Sequence, residues 1–314
     1  MELRHLRAFA AIVDAGGFGR AIGRLHVSQP ALSRQIRSLE ADLGVRLFDR
    51  VGRRIRLTSE GEDLIRRSRR LILDADALEA RARALKSGET GVLRIGATPQ
   101  VIEGVLAKFL ARYRRRHPNV EIHLVEDGGA SLAGRLDDGE VEVTIMLAGD
   151  ARFEQRLLFP VYCLAVVFRA HRLARRATLE AADLADEAVV VLRQGFGSRA
   201  WFEAACAIAH VRPRVVLESG SPHTLVALAR AGHAIAIIPS AVTFDRAAVR
   251  APILTQAGAP IGGWTSVNWD PQRFLAPYVE RFVEEVTTFA RRTYPGRDFT
   301  RRAPPLPKSR QTAV

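Results

Sequence analysis

Cysteine and long apolar runs are scarce in this sequence, and each scarcity excludes a class of protein. The two cysteines, Cys163 and Cys206, are too few for a disulfide framework. Both lie in apolar stretches, so we expect buried thiols in a reducing cytoplasm, with a redox-sensing pair as the alternative. The longest apolar run, Val161 to Phe168, is far shorter than the ~20 residues of a membrane-spanning helix. The apolar stretch Phe9 to Val13 is too short for a secretory signal, so we expect a cytoplasmic protein with no membrane partner.

The chain also lacks the signatures of common enzyme classes. It contains no Gly-x-Ser-x-Gly, His-Glu-x-x-His, Cys-x-x-Cys or P-loop pattern, and its eight histidines are scattered. We therefore expect no catalytic residue, no metal site and no cofactor. One pattern argues otherwise: Gly195-x-Gly197-x-x-Ala200 follows a predicted strand and opens a predicted helix, and Glu218 lies about twenty residues further on. A dinucleotide-binding enzyme stays a less favoured alternative, because an anion site at a helix start explains the same glycines.

Basic residues are in excess, but they are concentrated at the two ends of the chain. The net charge is +13; residues 1–58 hold 11 arginines against 5 acidic residues, and residues 291–314 hold 7 basic residues against 1 acidic residue. The residues between them carry an excess of only one positive charge. A basic N-terminal module on a neutral body fits nucleic-acid binding better than a generally cationic enzyme.

The stretch from His26 to Arg50 predicts a DNA-recognition helix with its exit turn. Four leucine and isoleucine residues, spaced by four, three and four, fall on one helical face: Leu32, Ile36, Leu39 and Leu43. Ser28 stands where an N-cap belongs, and Gly44 ends the helix as a left-handed C-cap.

The opposite face of this helix is short, polar and basic, with no acidic residue before Glu40. Gln29 and Arg34 could offer paired donors to base edges in a major groove, while Ser33 and Arg37 could reach bases or phosphates. The alternative is an ordinary amphipathic helix whose polar face meets water.

The flanks of the helix complete a known geometry. Leu3 to Val13 and Phe18 to Leu25 pattern two preceding helices, which gives a helix-turn-helix. Downstream, short strand-like runs surround Val51 to Arg54, which predicts a wing with Arg53 and Arg54 at its tip. Such a pair suits phosphates or an adjacent minor groove.

Residues 1–58 resemble the winged helix-turn-helix of LysR-type transcriptional regulators. The motifs that carry the resemblance are His26-Val27-Ser28-Gln29-Pro30-Ala31-Leu32-Ser33, Leu39-Glu40, Leu43-Gly44, Leu47-Phe48-Asp49-Arg50 and Leu57-Thr58. The sequence departs from the family where Gly17, Gly19 and Gly23 replace the usual small helix-forming or hydroxyl residues, and a helical Gly costs up to ~1 kcal/mol relative to Ala. We predict double-stranded DNA as the partner. The predicted DNA-binding residues are Gln29, Pro30, Ser33, Arg34, Arg37, Arg53 and Arg54.

A long helix over residues 59–88 is predicted to link and dimerise the chain. Leu64, Leu71, Leu78 and Leu85 recur every seven residues, and small residues follow the first three at an interval of four. A helix-turn-helix normally reads two half-sites through a two-fold dimer, so we expect a homodimer or homotetramer assembled through this helix. The alternative is a helix packed against its own domain.

Residues 91–292 alternate predicted strands and helices, the first helix running from Pro99 to Arg116, which favours a parallel, doubly wound sheet. The β-α-β pattern occurs twice in this region. Val161 to Val167 and Gly262 to Val267 are candidate crossover strands between the two copies. The region resembles the LysR-type effector domain, which is similar to periplasmic binding proteins, at Val92-Leu93-Arg94-Ile95-Gly96 and Gly232-His233-Ala234-Ile235-Ala236-Ile237-Ile238-Pro239. The resemblance implies lobe I over about residues 91–161 and 267–292 and lobe II over about residues 162–266.

Four loops at predicted helix starts carry small polar residues, and in the family such loops line the cleft that takes the effector. Backbone N–H groups and hydroxyls there favour an anion, typically a carboxylate. The predicted effector-binding residues are Thr98, Pro99, Gln100, Gly129, Ser131, Ser198, Arg199, Ser219, Ser221 and His223. The alternative is that Thr98, Ser131, Ser198 and Ser221 are only N-caps.

The fold class predicted from the sequence is an N-terminal winged helix-turn-helix, all-α with a β wing, then a long linker helix and an α/β two-lobed, periplasmic-binding-protein-like effector domain. Residues 293–314 are predicted to form a basic, Pro-rich disordered tail. The predicted function is a DNA-binding transcriptional regulator controlled by a small, anionic metabolite. The alternative is a DNA-binding protein whose α/β part is only an oligomerisation scaffold, with its cleft filled by side chains.

Overall fold

The structure is a computed structural model that describes residues 1–25, 27–51, 54–87 and 90–301. The described chain divides into two compact units. The first is built on residues 1–87 and the second on most of residues 90–301, with residues 137–140 and 273–276 grouped with the first.

The first unit contains the predicted helix-turn-helix and wing. Its elements are α1 (Leu3–Ala15), α2 (Phe18–Leu25), α3 (Gln29–Leu43), β1 (Phe48–Val51), β2 (Arg54–Leu57) and α4 (Ser59–Ser87). Gly16 and Gly44 end α1 and α3 in the left-handed region, with φ of 65° and 72°. β1 and β2 pair antiparallel, with Phe48 opposite Leu57.

The core of the first unit forms where the apolar faces of α1, α3 and α4 meet. Leu32, Ile36 and Leu39 are buried, as the spacing predicts, and Phe9 meets Phe48 edge to face at 5.4 Å. Ile65 of α4 is buried in the same cluster, so the start of the linker helix also supports the DNA-binding core.

The second unit is built from strands and helices in alternation, as predicted. Its strands are β3 (Gly91–Ala97), β4 (Val120–Glu126), β5 (Val143–Leu147), β6 (Glu154–Phe168), β7 (Thr178–Glu180), β8 (Ala188–Leu192), β9 (Arg214–Ser219), β10 (Ile235–Pro239), β11 (Val249–Arg250), β12 (Ile253–Gln256), β13 (Ala259–Pro260) and β14 (Gly262–Trp269). Its α-helices are α5 (Pro99–Val101), α6 (Ala107–Arg116), α7 (Gly129–Asp137), α8 (Gly197–Ile208), α9 (Pro222–Arg230), α10 (Pro277–Thr293) and α11 (Arg297–Thr300).

Two long strands divide this unit into two lobes. The strand order is β4-β3-β5-β14-β6-β10-β8-β9, and the first part of β6 pairs with β14 while residues Cys163 to Val166 pair with β10. We call the side of β4, β3 and β5 lobe I and the side of β10, β8 and β9 lobe II. β6 and β14 cross between the lobes at the positions where the sequence places the crossovers.

One helix of this unit differs from the sequence-based expectation. The single helix predicted from Pro99 to Arg116 contains a π-helical turn at Ile102–Leu106, between α5 and α6. Gly104 in this turn lies against Pro295, because a Cβ at 104 would be 2.5 Å from the Pro295 Cγ. This approach joins segments that are far apart in sequence, so the periodicity alone could not indicate it.

The prediction that all of residues 293–314 are disordered is wrong for residues up to 301. α10 continues to Thr293, and α11 places Phe299, which is 2 % exposed, in the apolar core of lobe II. The physical reason is this single large apolar side chain, whose burial outweighs the polar composition around it. Residues 302–314 lie outside the described residues.

Candidate functional site

The recognition helix α3 presents the polar face that the sequence predicts. The Ser28 hydroxyl accepts a hydrogen bond from the Ala31 N–H at 3.4 Å and caps the helix, so the first turn is held in place. Gln29, Pro30, Arg34 and Arg37 are exposed, and Ser33 is half-buried.

The charge on this face is not neutralised within the described residues. Arg37 donates to the backbone oxygen of Ser33 at 3.4 Å, and no ion pair forms at Arg34 or Arg37 in the described part of the chain. The positive charges of both guanidinium groups are therefore available to a binding partner. Arg53 of the predicted wing tip lies outside the described residues, and of Arg54 only the backbone, in β2, is described.

The linker helix α4 has one face in the core and another in solvent. Ile65 and Ser68 are buried, whereas Leu71 is 48 % exposed and Leu78 is 71 % exposed. Leu71 and Leu78 belong to the heptad seam that the sequence predicts. Two large apolar side chains one heptad apart on a solvent-facing helix form a surface that fits a second helix. The side chain of Leu85, in the same seam, lies outside the described part of the structure.

A cavity of about 310 Å³ lies between the two lobes. Its walls come from the starts of α5, α7 and α8, from both crossover strands and from the loop after β10. The lining is mainly apolar. The residues that line it are Thr98, Gln100, Val101, Gly129, Ala130, Ala133, Met146, Leu147, Asp150, Val161, Gln194, Gly195, Phe196, Gly197, Ser198, Ala200, Pro239, Ala241 and Thr265.

Two buried polar side chains at this cavity lack hydrogen-bond partners among the described residues. Thr98 and Gln100 are 6 % and 9 % exposed, and neither Thr98 Oγ1 nor Gln100 Oε1 has a partner. Thr98 stands at the N-cap of α5, yet its side chain makes no capping bond. A buried polar atom left unpaired costs about 1–3 kcal/mol, and a bound molecule that supplies the missing hydrogen bonds would remove that cost.

The structure brings together four of the ten predicted effector-binding residues: Thr98, Gln100, Gly129 and Ser198 line the cavity. The other six do not line it, and most have other partners. Ser131 donates to Asp127 at 2.7 Å, Ser221 caps α9, and the Ser219 hydroxyl accepts from the Ser221 N–H. His223 pairs with Glu103, Arg199 pairs with Glu203 and Glu218, and Pro99 is buried at the start of α5.

The alternative interpretation was that four hydroxyl residues are only helix N-caps, and in the structure one of the four is an N-cap. Ser221 is a true N-cap, whereas Thr98 makes no capping bond, Ser131 bonds a carboxylate and Ser198 stands inside α8, whose N-cap is Phe196.

The electrostatics of the cavity come from helix starts and from one carboxylate. No Lys, Arg or His is among the described residues that line it. The starts of α7, of α8 and of the helical run from Pro99 to Arg116 carry partial positive charge, although the Ala130 N–H already donates to the Gly195 carbonyl and Pro99 has no N–H. Asp150 lines one wall, and its hydrogen bond to Arg152 holds the pKa of that carboxyl below its usual range. Such a site suits a single negative charge or a neutral polar group.

The sequence did not indicate Thr265, Asp150, Val161, Met146 or Ala241 as cavity residues. Thr265 and Val161 lie on the predicted crossover strands, and Ala241 follows the end of β10. The rule that ligands sit at the carboxyl ends of strands could have pointed to the loop after β10. Residues inside a crossover strand give no such signal.

The glycine pattern of the dinucleotide fingerprint has a different role in the structure. Gly195 has φ of 91° and its carbonyl accepts a hydrogen bond from the Ala130 N–H of lobe I at 3.0 Å. Glu218, which would have to bind a ribose hydroxyl, is 2.9 Å from the Arg199 guanidinium. The glycines therefore bring the two lobes close together, and the acidic residue is already paired.

Both cysteines are buried thiols. Cys163 and Cys206 are free and lie in one apolar cluster of lobe II. Burial raises the pKa of Cys163 to about 12 and that of Cys206 to about 11. Because the thiolate is the reactive form, this environment favours inert thiols over the redox-sensing alternative.

Neither a metal site nor a membrane-spanning helix occurs among the described residues. No cluster of three or more His, Cys, Asp or Glu side chains there could hold a metal ion. No helix in the same residues is long and apolar enough to cross a membrane.

Comparisons with known proteins agree with this architecture. The family model for the bacterial regulatory helix-turn-helix protein of the lysR family matches residues 3–62, and the model for the LysR substrate binding domain matches residues 86–291. The HTH-type transcriptional regulator YnfL of Escherichia coli (strain K12) is 31% identical over 245 residues, which is 76% of this chain and 82% of that protein.

Solved structures give the same result at the level of fold. A full-length OxyR variant from Pseudomonas aeruginosa superposes with a TM-score of 0.72 and 22% identity, covering 93% of this chain and 98% of that one. Full-length CbnR in complex with its target DNA matches with a TM-score of 0.62 and 25% identity, covering 91% of this chain and 99% of that one.

Proposed function

The chain belongs to the LysR family of bacterial transcriptional regulators, and from that membership we propose a function for each part of the chain. Residues 1–58 bind DNA, residues 59–88 join two copies, and residues 91–292 bind a small effector between lobe I and lobe II. Closure of the lobes on the effector changes the angle between the two DNA-binding modules of a dimer. No catalytic step is part of this function, and a regulator of this kind acts on DNA in the cytoplasm.

DNA recognition is assigned to α3 and the wing. Arg34, Gln29 and Ser33 read base edges, Pro30 and Arg37 lie at the contact surface, and Arg53 and Arg54 hold the backbone. The support is the capped helix whose exposed arginines have no acidic partner among the described residues.

Dimerisation is assigned to the exposed seam of α4. Leu71 and Leu78 support it, because apolar side chains of this size in solvent favour burial against a second helix. Sedimentation of the variant Leu71→Gln/Leu78→Gln should show a smaller assembly than the unmodified protein. Phe274→Gln, which alters an equally exposed apolar side chain, should leave the assembly unchanged, and an unchanged assembly in the double variant would contradict the assignment.

The effector is a compact molecule with one carboxylate and a mostly apolar body. The observation that carries this proposal is the cavity with Thr98 Oγ1 and Gln100 Oε1 buried and unpartnered in the described chain. The N–H groups at the helix starts can hold one carboxylate. The absence of a cationic side chain from the described lining, together with the Asp150 carboxylate, disfavours a ligand with several negative charges.

Thermal unfolding of the full-length protein with a panel of small carboxylates, amino acids and neutral analogues tests this proposal. Ligand at a hundred times its Kd adds about 2.7 kcal/mol of stability, which raises the melting temperature of a unit of this size by roughly 5–11 °C. Thr98→Val should abolish the shift. Thr144→Val is the matched control, because Thr144 Oγ1 is also buried and unpartnered in the described chain but does not line the cavity.

The alternative of a ligand-free scaffold predicted a cleft filled by side chains. An open cavity of about 310 Å³ favours effector binding over that alternative. A flat response to the whole panel, or an equal loss of response in both threonine variants, would favour the scaffold.

A further inference from the structure

A second concave site lies on lobe II, apart from the cavity between the lobes. Its volume is about 540 Å³, and four of the residues that line it are arginines: Arg169, Arg175, Arg176 and Arg250. No Asp or Glu is among its described lining residues. Four guanidinium groups around one concavity repel one another, so the site gains stability when an anion enters.

The charge of the arginine site is only partly balanced by the protein. Arg176 pairs with Asp183 at 2.6 Å. Among the described residues no ion pair forms at Arg169, Arg175 or Arg250. Glu187 is already held by two other basic side chains, Arg172 at 2.6 Å and His171 at 3.4 Å. Three positive charges therefore remain uncompensated around one concavity.

Backbone contacts orient two of these guanidinium groups without neutralising them. Arg169 donates to the Ala247 carbonyl and Arg250 to the Val249 carbonyl, each at 3.1 Å. A guanidinium group has five N–H donors, so most donors of both side chains remain for a ligand. Arg250 is half-buried at the end of β11, which pairs with the end of β6 next to Arg169.

The rest of the arginine site is uncharged, with Thr178 and the buried residues Pro252 and Phe299 in its wall. Phe299 belongs to α11 and is fixed in the core of lobe II. Residues 299–314 contain no Asp or Glu and so offer no acidic side chain to the site. The uncompensated arginines therefore favour a separate molecule with several negative charges.

We propose that this arginine site binds the diphosphate group of a small molecule. Three uncompensated guanidinium groups match the charge of a diphosphate, and Arg recognises phosphate oxygens through pairs of parallel N–H donors. The protein would then respond to a second signal, independent of the carboxylate in the cavity between the lobes.

Calorimetric titration of the full-length protein with inorganic pyrophosphate, ADP and inorganic phosphate, at constant ionic strength, tests the proposal. Pyrophosphate and ADP should bind, and inorganic phosphate should bind at least about tenfold more weakly, because it engages fewer guanidinium groups. Arg175→Ala/Arg250→Ala should weaken pyrophosphate binding by about tenfold or more, and Arg175→Lys/Arg250→Lys should weaken it less, because the charge remains. The absence of binding to the unmodified protein would overturn the proposal.

Two control variants separate this site from general attraction of anions. Arg114→Ala/Arg115→Ala removes two exposed charges from α6, and Arg34→Ala/Arg37→Ala removes two from the recognition helix. Binding retained in both controls supports the arginine site. Binding lost only in the recognition-helix variant would assign the anion to the DNA-binding surface and overturn the proposal. If Arg175→Ala/Arg250→Ala fails to fold, the exposed Arg175→Ala alone takes its place.

Discussion

Gly197 of lobe II lies directly against Leu147 of lobe I, and a Cβ at position 197 would be only 2.3 Å from the Leu147 Cδ1. Both residues line the cavity between the lobes. Gly197 is also the first residue of α8. The start of this helix is one of those that we propose to hold the carboxylate of the effector. The absence of a side chain at this position therefore allows the close approach of the lobes.

Gly197→Ala should destabilise the second unit. The added methyl must displace Leu147, and overpacking of this kind costs about 1–3 kcal/mol. Gly134→Ala is the matched control: Gly134 is exposed in α7 and a Cβ there meets nothing within 4 Å, so the higher helix propensity of Ala should stabilise by up to ~1 kcal/mol. Chemical unfolding of both variants measures the difference, and equal stabilities would contradict the close contact.

Arg34→Ala should weaken specific DNA binding by about 1–3 kcal/mol and relax the preference at one operator position. Arg53→Ala should weaken binding to operator and to scrambled DNA by a similar factor, because a phosphate contact carries no sequence information. Fluorescence anisotropy with both DNAs gives the two ratios. Undiminished discrimination by Arg34→Ala would show that another residue reads the bases.

Two glycines of the DNA-binding unit should respond in opposite directions to alanine. A Cβ at Gly61 would be 2.3 Å from the Leu47 backbone oxygen and 3.0 Å from the Leu57 Cδ2, so Gly61→Ala should cost about 1–3 kcal/mol. Gly23 in α2 is exposed and a Cβ there meets nothing within 4 Å, so Gly23→Ala should stabilise by up to ~1 kcal/mol. Thermal unfolding followed by circular dichroism distinguishes the two; stabilisation by Gly61→Ala would be inconsistent with the close contact.

Phe299→Ala should destabilise lobe II by roughly 3–5 kcal/mol, because it removes a fully buried aromatic side chain. The same substitution at Phe274, which is 53 % exposed, should have little effect. Urea unfolding of the full-length protein compares the two variants. Similar midpoints would mean that α11 does not contribute to the fold.

Cys163 and Cys206 should react with a thiol reagent at pH 8 only after unfolding, because burial raises the pKa of both thiols far above 8. The same shifts predict that the unfolding free energy falls as the pH rises from about 9 toward 11. In that range the unfolded chain has lost thiol protons that the folded chain retains, so alkaline conditions favour unfolding. Rapid labelling of the native protein, or a peroxide effect on DNA binding abolished by Cys→Ala, would instead support redox sensing.

Local patterns in the sequence predicted most of the elements. The recognition helix carries its own signals, since Leu32, Ile36 and Leu39 mark the buried face and Ser28 and Gly44 mark the ends. The alternation of strands and helices predicted the doubly wound lobes for the same reason: each element is specified by residues only a few positions apart. The expected helix from Pro99 to Arg116 was correct in extent, but its π-helical turn was not predicted.

The sequence could not show which of the predicted effector-binding residues line the cavity, because a loop sequence does not say which side chain faces a cleft. Thr98 and Ser198 line the cavity, while Ser131 and Arg199 from two of the same loops turn to Asp127 and Glu218. Asp127 lies four residues before Ser131 and Glu218 lies nineteen residues after Arg199, and the sequence does not show that these pairs form.

Short-range periodicity and capping are enough to predict the helix-turn-helix, the wing strands, the linker helix and the order of strands and helices in the two lobes. Four features appear only in the folded chain: which hydroxyls face the cavity, the contact of Gly197 with Leu147, the four arginines around one concavity and the return of Phe299 to lobe II. Each of these depends on segments tens of residues apart, whose approach is fixed by the packing of the whole core and leaves no local pattern in the chain.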